Sequence, residues 1–185
     1  MRDEGIQGGL VPVVTVFGSS RVGPGQPEYE AALELGRLLG SRGWTLCNGG
    51  YNGTMEAAAK GAKEADGSTI GVTISLFADA TPNSWIDQLI VTDSFLGRLE
   101  KLVGLGSAYV VLPGGIGTLL ELAMVWNLAQ VPGPRKPILV VGPSWSTVLE
   151  AFRGHLPVHP WEDESLTFVA SVQEAVQTLD AHFGG

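Results

Sequence analysis

YVVLPGGIGTLLEL, residues 109–122, runs from an apolar strand through a glycine turn into a helix. Tyr109 to Leu112 reads as a buried strand that breaks at Pro113 into Gly114, Gly115 and Gly117, before Thr118 opens an apolar-periodic helix. Glycine lets the backbone adopt positive φ and come close to a ligand. The unpaired N–H groups at a helix N-terminus carry partial positive charge, so the turn suits an anion, most naturally a phosphate. Glu121 stands one turn into the helix, beside that anion site rather than in it. A carboxylate so placed points to chemistry next to a phosphate.

The same plan of strand, small-residue turn and helix occurs twice more. Val13 to Phe17 forms a strand that stops at Gly18, Ser19 and Ser20, either a ligand-facing turn or an ordinary connection. Trp44 to Asn48 forms another, followed by Gly49, Gly50, Tyr51, Asn52 and Gly53 and an alanine-rich helix over Thr54 to Ala65. Four further strands are read at Ser68 to Ile74, Gln88 to Val91, Ile138 to Val141 and Leu166 to Val169. Helices are expected from Pro27 to Gly43, from an N-cap at Ser94 to Gly106, from Thr118 to Gln130 and from Ser144 to Phe152. A closing helix starts at Ser171, with Glu174 completing a capping box. Alternation of this kind predicts an α/β fold, a single-domain Rossmann-like parallel sheet with helices on both faces. Ligands of such sheets bind at the carboxyl ends of the strands, which brings the turns at Gly18, Gly49 and Gly114 to one edge.

Composition narrows the partners. The 185 residues fit one domain, with residues 1–11 a loose lead-in. A formal charge of −8 argues against nucleic-acid binding, and no block of like charge suggests a membrane patch, so a small molecule is the expected partner. No stretch has the apolar length of a membrane span or signal peptide, and the lone Cys47 reads as a small core residue, so a cytoplasmic protein is expected. His155 and His159, with Glu162, Asp163 and Glu164, lack a ligand spacing and read as a surface loop, so no metal is expected. Trp85 reads as a packing residue, with a role covering a base as the other reading. Arg98, one turn into its helix, is from spacing alone an ordinary solvated arginine or a functional one.

PGGIGTLLE, from Pro113 to Glu121, matches the signature PGGxGTxxE of the LOG ("Lonely guy") family of nucleoside 5′-monophosphate phosphoribohydrolases, formerly called lysine decarboxylases. The resemblance covers most of the chain: GSS at Gly18, GGYNGTMEA from Gly49 to Ala57, an arginine at the start of the next helix and then the signature follow in the family's order. Members place a functional arginine fifteen positions before the signature proline, and Arg98 stands at that distance from Pro113. The family's common run of Met, His, Glu, Arg and Lys is here Phe95, Leu96, Gly97, Arg98 and Leu99, and Leu120 stands where many members have the first of two glutamates.

The resemblance implies hydrolysis of the N-glycosidic bond of AMP or a cytokinin riboside 5′-monophosphate, giving the free base and ribose 5-phosphate without a cofactor. It implies a homodimer or higher homo-oligomer as well. It makes Arg98 and Glu121 the catalytic pair. Cleavage builds positive charge on the ribose, which a carboxylate at Glu121 stabilises while orienting water. Arg98, always protonated, serves first as a fixed charge that positions the substrate, with proton delivery to the base a distant second. Backbone N–H groups across Gly114, Gly115, Gly117 and Thr118, with the Thr118 hydroxyl, hold the 5′-phosphate, and Gly18, Ser19, Gly49 and Gly50 line the nucleoside. The preferred base stays open. A relative of the same fold that carries a nucleotide or a molybdenum cofactor without cutting it is the alternative, and the retained Arg98 and Glu121 favour the enzyme. A pyridoxal decarboxylase needs a lysine set for a Schiff base, yet Lys60, Lys63, Lys101 and Lys136 all read as helix surface or loop.

Overall fold

The computed structural model describes residues 11–76 and 81–184, so the lead-in expected at residues 1–11 lies, Val11 apart, outside the described residues. In chain order the elements are β1 (Val13–Phe17), α1 (Pro27–Gly40), β2 (Thr45–Asn48), α2 (Thr54–Glu64), β3 (Thr69–Ile74), β4 (Gln88–Thr92) and α3 (Phe95–Leu105). They continue as β5 (Ala108–Val111), α4 (Ile116–Leu128), β6 (Ile138–Val141), α5 (Pro143–His155), α6 (Pro160–Asp163), β7 (Leu166–Val169) and α7 (Val172–Phe183). The strands form one sheet in the order β4-β3-β2-β1-β5-β6-β7, and every pairing is parallel. The α/β Rossmann-like fold read from the sequence is the fold observed. Among the described residues no helix is long and apolar enough to cross a membrane.

Strand alternation splits the core into two layers. Val14 and Val16 of β1, Val110 of β5 and Leu139 of β6 pack with Leu35, Leu39, Ala58 and Leu179, on the side of α1, α2 and α7. Phe17, Tyr109, Val111 and Val140 face the other way, onto Leu99, Leu102, Leu122 and Leu149 of α3, α4 and α5. The first layer includes a close helix pair. A Cβ on Gly36 of α1 would strike the carbonyl of Ala58, and one on Gly61 of α2 that of Leu33, so the two backbones touch where side chains would normally intervene. Cys47 is fully buried in the second layer, and its thiol is pushed up to about 12 by that burial.

Several boundaries differ from the sequence reading for local reasons. The helix expected over Thr118 to Gln130 runs instead from Ile116 to Leu128, because Gly115, extended at φ −98° and ψ −154°, takes the N-cap. The first helix ends at Gly40 rather than Gly43, where a residue at φ +68° closes a tight turn. The helix expected to stop at Phe152 continues to His155, and the proline-rich stretch after it holds a short helix, α6, in place of a plain loop. Pro160 opens α6, and the His159 N–H donates to the Glu162 carboxylate at 2.6 Å.

Candidate functional site

Strands β2, β3 and β4 lie on one side of β1 and β5, β6 and β7 on the other, so the chain reverses direction across the sheet between β1 and β5. A cleft of about 650 Å³ opens at that switch point over the strand carboxyl ends, walled by the turns after β1, β2 and β5 and by the start of α3.

The turn after β5 presents a helix end. The first α-helical bond of α4 is donated by the Leu119 N–H to the Gly115 carbonyl at 3.0 Å, which leaves the N–H groups of Ile116, Gly117 and Thr118 without intrahelical acceptors. All three residues line the cleft. A Cβ on Gly115 or Gly117 would meet nothing within 4 Å, so open space lies over both. Thr118 is only 3% exposed, and a Cβ on Gly114 would collide with its hydroxyl oxygen. The hydroxyl therefore packs against the turn, and Gly114 is small to admit it. At the strand end the buried Trp145 indole donates to the Leu112 carbonyl at 3.0 Å, fixing where the turn departs.

The other turns are held by polar side chains. Ser19 lines the cleft, and its carbonyl accepts from the Thr54 N–H at 2.8 Å and the Thr54 hydroxyl at 3.1 Å, tying β1 to the start of α2. Gly18 allows this approach, since a Cβ there would strike the same hydroxyl. Buried Asn48 shapes the next turn, donating to the Met55 carbonyl and accepting from the Gly50 N–H, both at 2.8 Å. Gly50 sits at φ +75° against Gly71 and Thr73 of β3 and does not itself line the cleft. Gly49 faces the cleft for a different reason: the Arg98 guanidinium occupies the space where its side chain would be.

Arg98 is held from several directions. Ser94 caps α3 by accepting from the Gly97 N–H at 3.0 Å, which sets Arg98 in the first turn. Its Nε donates to the Val72 carbonyl at 2.8 Å and Nη2 to the Gly49 carbonyl at 3.3 Å, while the Tyr51 ring centroid lies 5.8 Å from the guanidinium carbon. Nη1 is left facing Oε1 of Glu121 at 3.8 Å, with both side chains 15% exposed. Burial pushes the Glu121 carboxyl up to about 7, and the Arg98 charge works against that rise. Glu121 thus changes charge near neutral pH, the range in which a carboxylate can take up a proton in catalysis.

Of the residues singled out from sequence, Gly18, Ser19, Gly49, Gly115, Gly117, Thr118, Arg98 and Glu121 line this one cleft; Gly50 and Gly114 support it from behind. Sequence reasoning passed over Arg21, Tyr51, Met55, Phe95 and Ile116, which also line it. Position after a strand was the available signal for Tyr51, which was read as part of a glycine turn. Trp85 packs on the α1 and α2 layer and does not line the cleft, and no lysine does. Among the described residues no group of three or more His, Cys, Asp or Glu side chains is arranged to hold a metal ion.

Known proteins are similar to this chain in sequence and in fold. The model of the SLOG cluster4 family matches residues 11–155. A protein of Mycobacterium tuberculosis named cytokinin riboside 5′-monophosphate phosphoribohydrolase is 34% identical over 157 residues, 80% of this chain and 83% of the relative. A pyrimidine/purine nucleotide 5′-monophosphate nucleosidase of Escherichia coli is 32% identical over 143 residues, 69% of this chain but 32% of that larger protein. Among solved structures, a molybdenum cofactor binding protein from Rippkaea orientalis superposes with a TM-score of 0.77 at 25% identity, over 94% of this chain and 98% of that one.

Proposed function

Since the chain belongs to the SLOG cluster4 family, with Lonely guy phosphoribohydrolases among its relatives, we propose that it hydrolyses the N-glycosidic bond of a nucleoside 5′-monophosphate. The products are the free base and ribose 5-phosphate. The observation that carries this reading is the Arg98–Glu121 pair, 3.8 Å apart and largely shielded from water, one turn beyond the open helix end.

The 5′-phosphate docks on the N–H groups of Ile116, Gly117 and Thr118, where helix polarity favours an anion. Gly115 and Gly117 leave room for its oxygens. The ribose then extends toward Glu121, whose carboxylate opposes the positive charge that builds on the ring as the bond to the base stretches. Arg98 keeps the carboxylate oriented and fixes the sugar by its permanent charge. The oxygen of a water molecule bonds to C1′, one of its protons passes to Glu121, and the electron pair of the C1′–N bond leaves with the base, which is protonated from solvent. AMP and cytokinin riboside 5′-monophosphates are the expected substrates, and a cytoplasmic setting matches such chemistry.

A homodimer belongs to the same proposal. The apolar residues of α4 are spread around the helix, and Ile116 and Leu120 stay exposed, as do Phe95 and Leu96 of α3. A helix apolar on all sides calls for cover on all sides, which a second copy supplies. The likeness to a molybdenum cofactor binding protein keeps a carrier role as the second reading. Incubating the protein with AMP and separating the products by chromatography decides between the two. Release of adenine and ribose 5-phosphate is expected; AMP bound and recovered intact would favour the carrier.

A further inference from the structure

β2 stops short of its neighbour. Its register with β3 ends at Asn48 opposite Gly71, whereas β3 continues through Val72 and Thr73 to Ile74. Residues two apart on a strand turn their backbone groups to the same side, so Val72 and Ile74 both face the place that β2 has vacated. Buried backbone groups need partners. Side chains provide them: Arg98 Nε donates to the Val72 carbonyl at 2.8 Å, and the Tyr51 hydroxyl accepts from the Ile74 N–H at 3.0 Å and donates to the Ile74 carbonyl at 3.2 Å.

Tyr51 is therefore anchored to the strand that anchors Arg98, with the guanidinium carbon 5.8 Å from its ring centroid. With its hydroxyl engaged by the backbone on both sides, the ring has little freedom to swing from the guanidinium. Among the cleft-lining residues Arg21, Arg98 and Glu121 carry formal charge, and Arg98 forms an ion pair with the carboxylate at 3.8 Å. Resting on the hydrolase reading above, we infer that Tyr51 is a positioning residue: held by the overhanging end of β3, it fixes the Arg98 guanidinium against Glu121 and so governs when that carboxylate is charged. In this role it acts through Arg98 rather than on the bond broken or the attacking water.

Three variants and two readouts test this. Tyr51→Phe keeps the ring under the guanidinium and gives up the two bonds to Ile74; Tyr51→Ala gives up both, and Tyr51→Leu fills the space without a π face. Tyr51→Ala and Tyr51→Leu are expected to lower kcat on AMP about 10- to 100-fold with KM changed less than about 3-fold, since the loss is one of orientation. The same variants should move the ionisation of Glu121 upward by about one pH unit, because its countercharge is no longer held nearby. Tyr51→Phe keeps the ring but frees it from Ile74, so its kcat should fall less than that of Tyr51→Ala and Tyr51→Leu.

Following the Glu121 carboxyl carbon by NMR in the ligand-free protein gives the second readout without any turnover. An unchanged Glu121 titration in Tyr51→Leu would overturn the inference even if activity fell. Damage to Tyr51→Phe equal to that in Tyr51→Ala would overturn it too, leaving only a brace for the β3 end. Should the wild type release no adenine, the hydrolase reading fails, while the NMR titration still tests whether Tyr51 sets the Arg98–Glu121 contact.

Discussion

The guanidinium of Arg98 lies where a side chain on Gly49 would have to be. The glycine after β2 and the arginine on α3, 49 positions apart, are thus one steric unit, and Nη2 of the arginine also bonds the Gly49 carbonyl at 3.3 Å. Gly49→Ala should displace Arg98 while leaving the ladder between β2 and β3 in place. Turnover of AMP is expected to fall about 100-fold, the scale of loss for a misplaced catalytic group. Steady-state kinetics alongside a thermal melt checks this, and wild-type kcat in the variant would refute the steric account.

Glu121 is expected to carry the chemistry. Glu121→Ala should lower kcat by about 1,000-fold, as removal of a key electrostatic group does, with AMP affinity by calorimetry changed less than about 3-fold. Loss of binding together with turnover would make the carboxylate a binding group instead.

Acidity at this site links activity to stability with opposite signs. In the proposed mechanism Glu121 works as a carboxylate, so kcat/KM should rise with pH to a plateau, with its midpoint at about 7. Stability runs the other way. The folded value, raised from 4.5 to about 7, means the native state holds a proton that the unfolded chain releases earlier. The site's contribution is then fully present below pH 4.5 and is lost as pH climbs through about 7. Glu121→Gln removes the penalty and should stabilise the protein at pH 8 by up to about 3 kcal/mol, while changing little at pH 4.5. Denaturant titrations of both proteins at the two pH values measure it.

Gly117→Ala separates the phosphate site from the fold. Apart from its chain neighbours and its own helix backbone, no atom of the described residues lies within 4 Å of the added methyl, so the melting temperature should hold, yet a phosphate over the α4 N–H groups would be crowded. AMP affinity is expected to fall about 10-fold or more, as for a lost charge-assisted hydrogen bond. Unchanged affinity would place the phosphate elsewhere.

Much of this was legible in the chain. Runs such as VVTVF and ILVV, each ended by glycine, announce a parallel sheet, and the sheet puts their turns on one edge. Other features depend on geometry that residue types do not encode. Gly115 and Gly117 flank Ile116 symmetrically in sequence, and only the extended backbone of Gly115 makes it the cap. Arg98 looks like any exposed helical arginine until the register shows β3 outrunning β2 and leaving a carbonyl at Val72 for it. Tyr51 was hidden among glycines, and its purpose lies in a strand end 23 positions away in sequence. Leu99, where the Lonely guy resemblance would put a lysine, is 7% exposed and serves the core.

The proposed dimer can be tested at the exposed rim. Leu96→Asp combined with Leu120→Asp places charge on residues 78% and 54% exposed, outside either core layer. Light scattering should show a dimer for the wild type and a monomer for the double variant, with little change in the melting temperature. A wild-type monomer would remove the second copy from the proposal.

The glycine contacts between α1 and α2 have a consequence for how such a protein diversifies. Backbone touches backbone at Gly36 and Gly61, so that flank of the sheet accepts almost no change of residue size. Arg98 and Glu121 ride on the opposite flank, on helices whose apolar surface is partly open. Variation can accumulate there, at Leu96 or Leu120 for example, without loosening the packed half. Heritable change in substrate choice should therefore map to one side of the sheet, and the other side should look nearly the same in proteins that cleave different nucleotides.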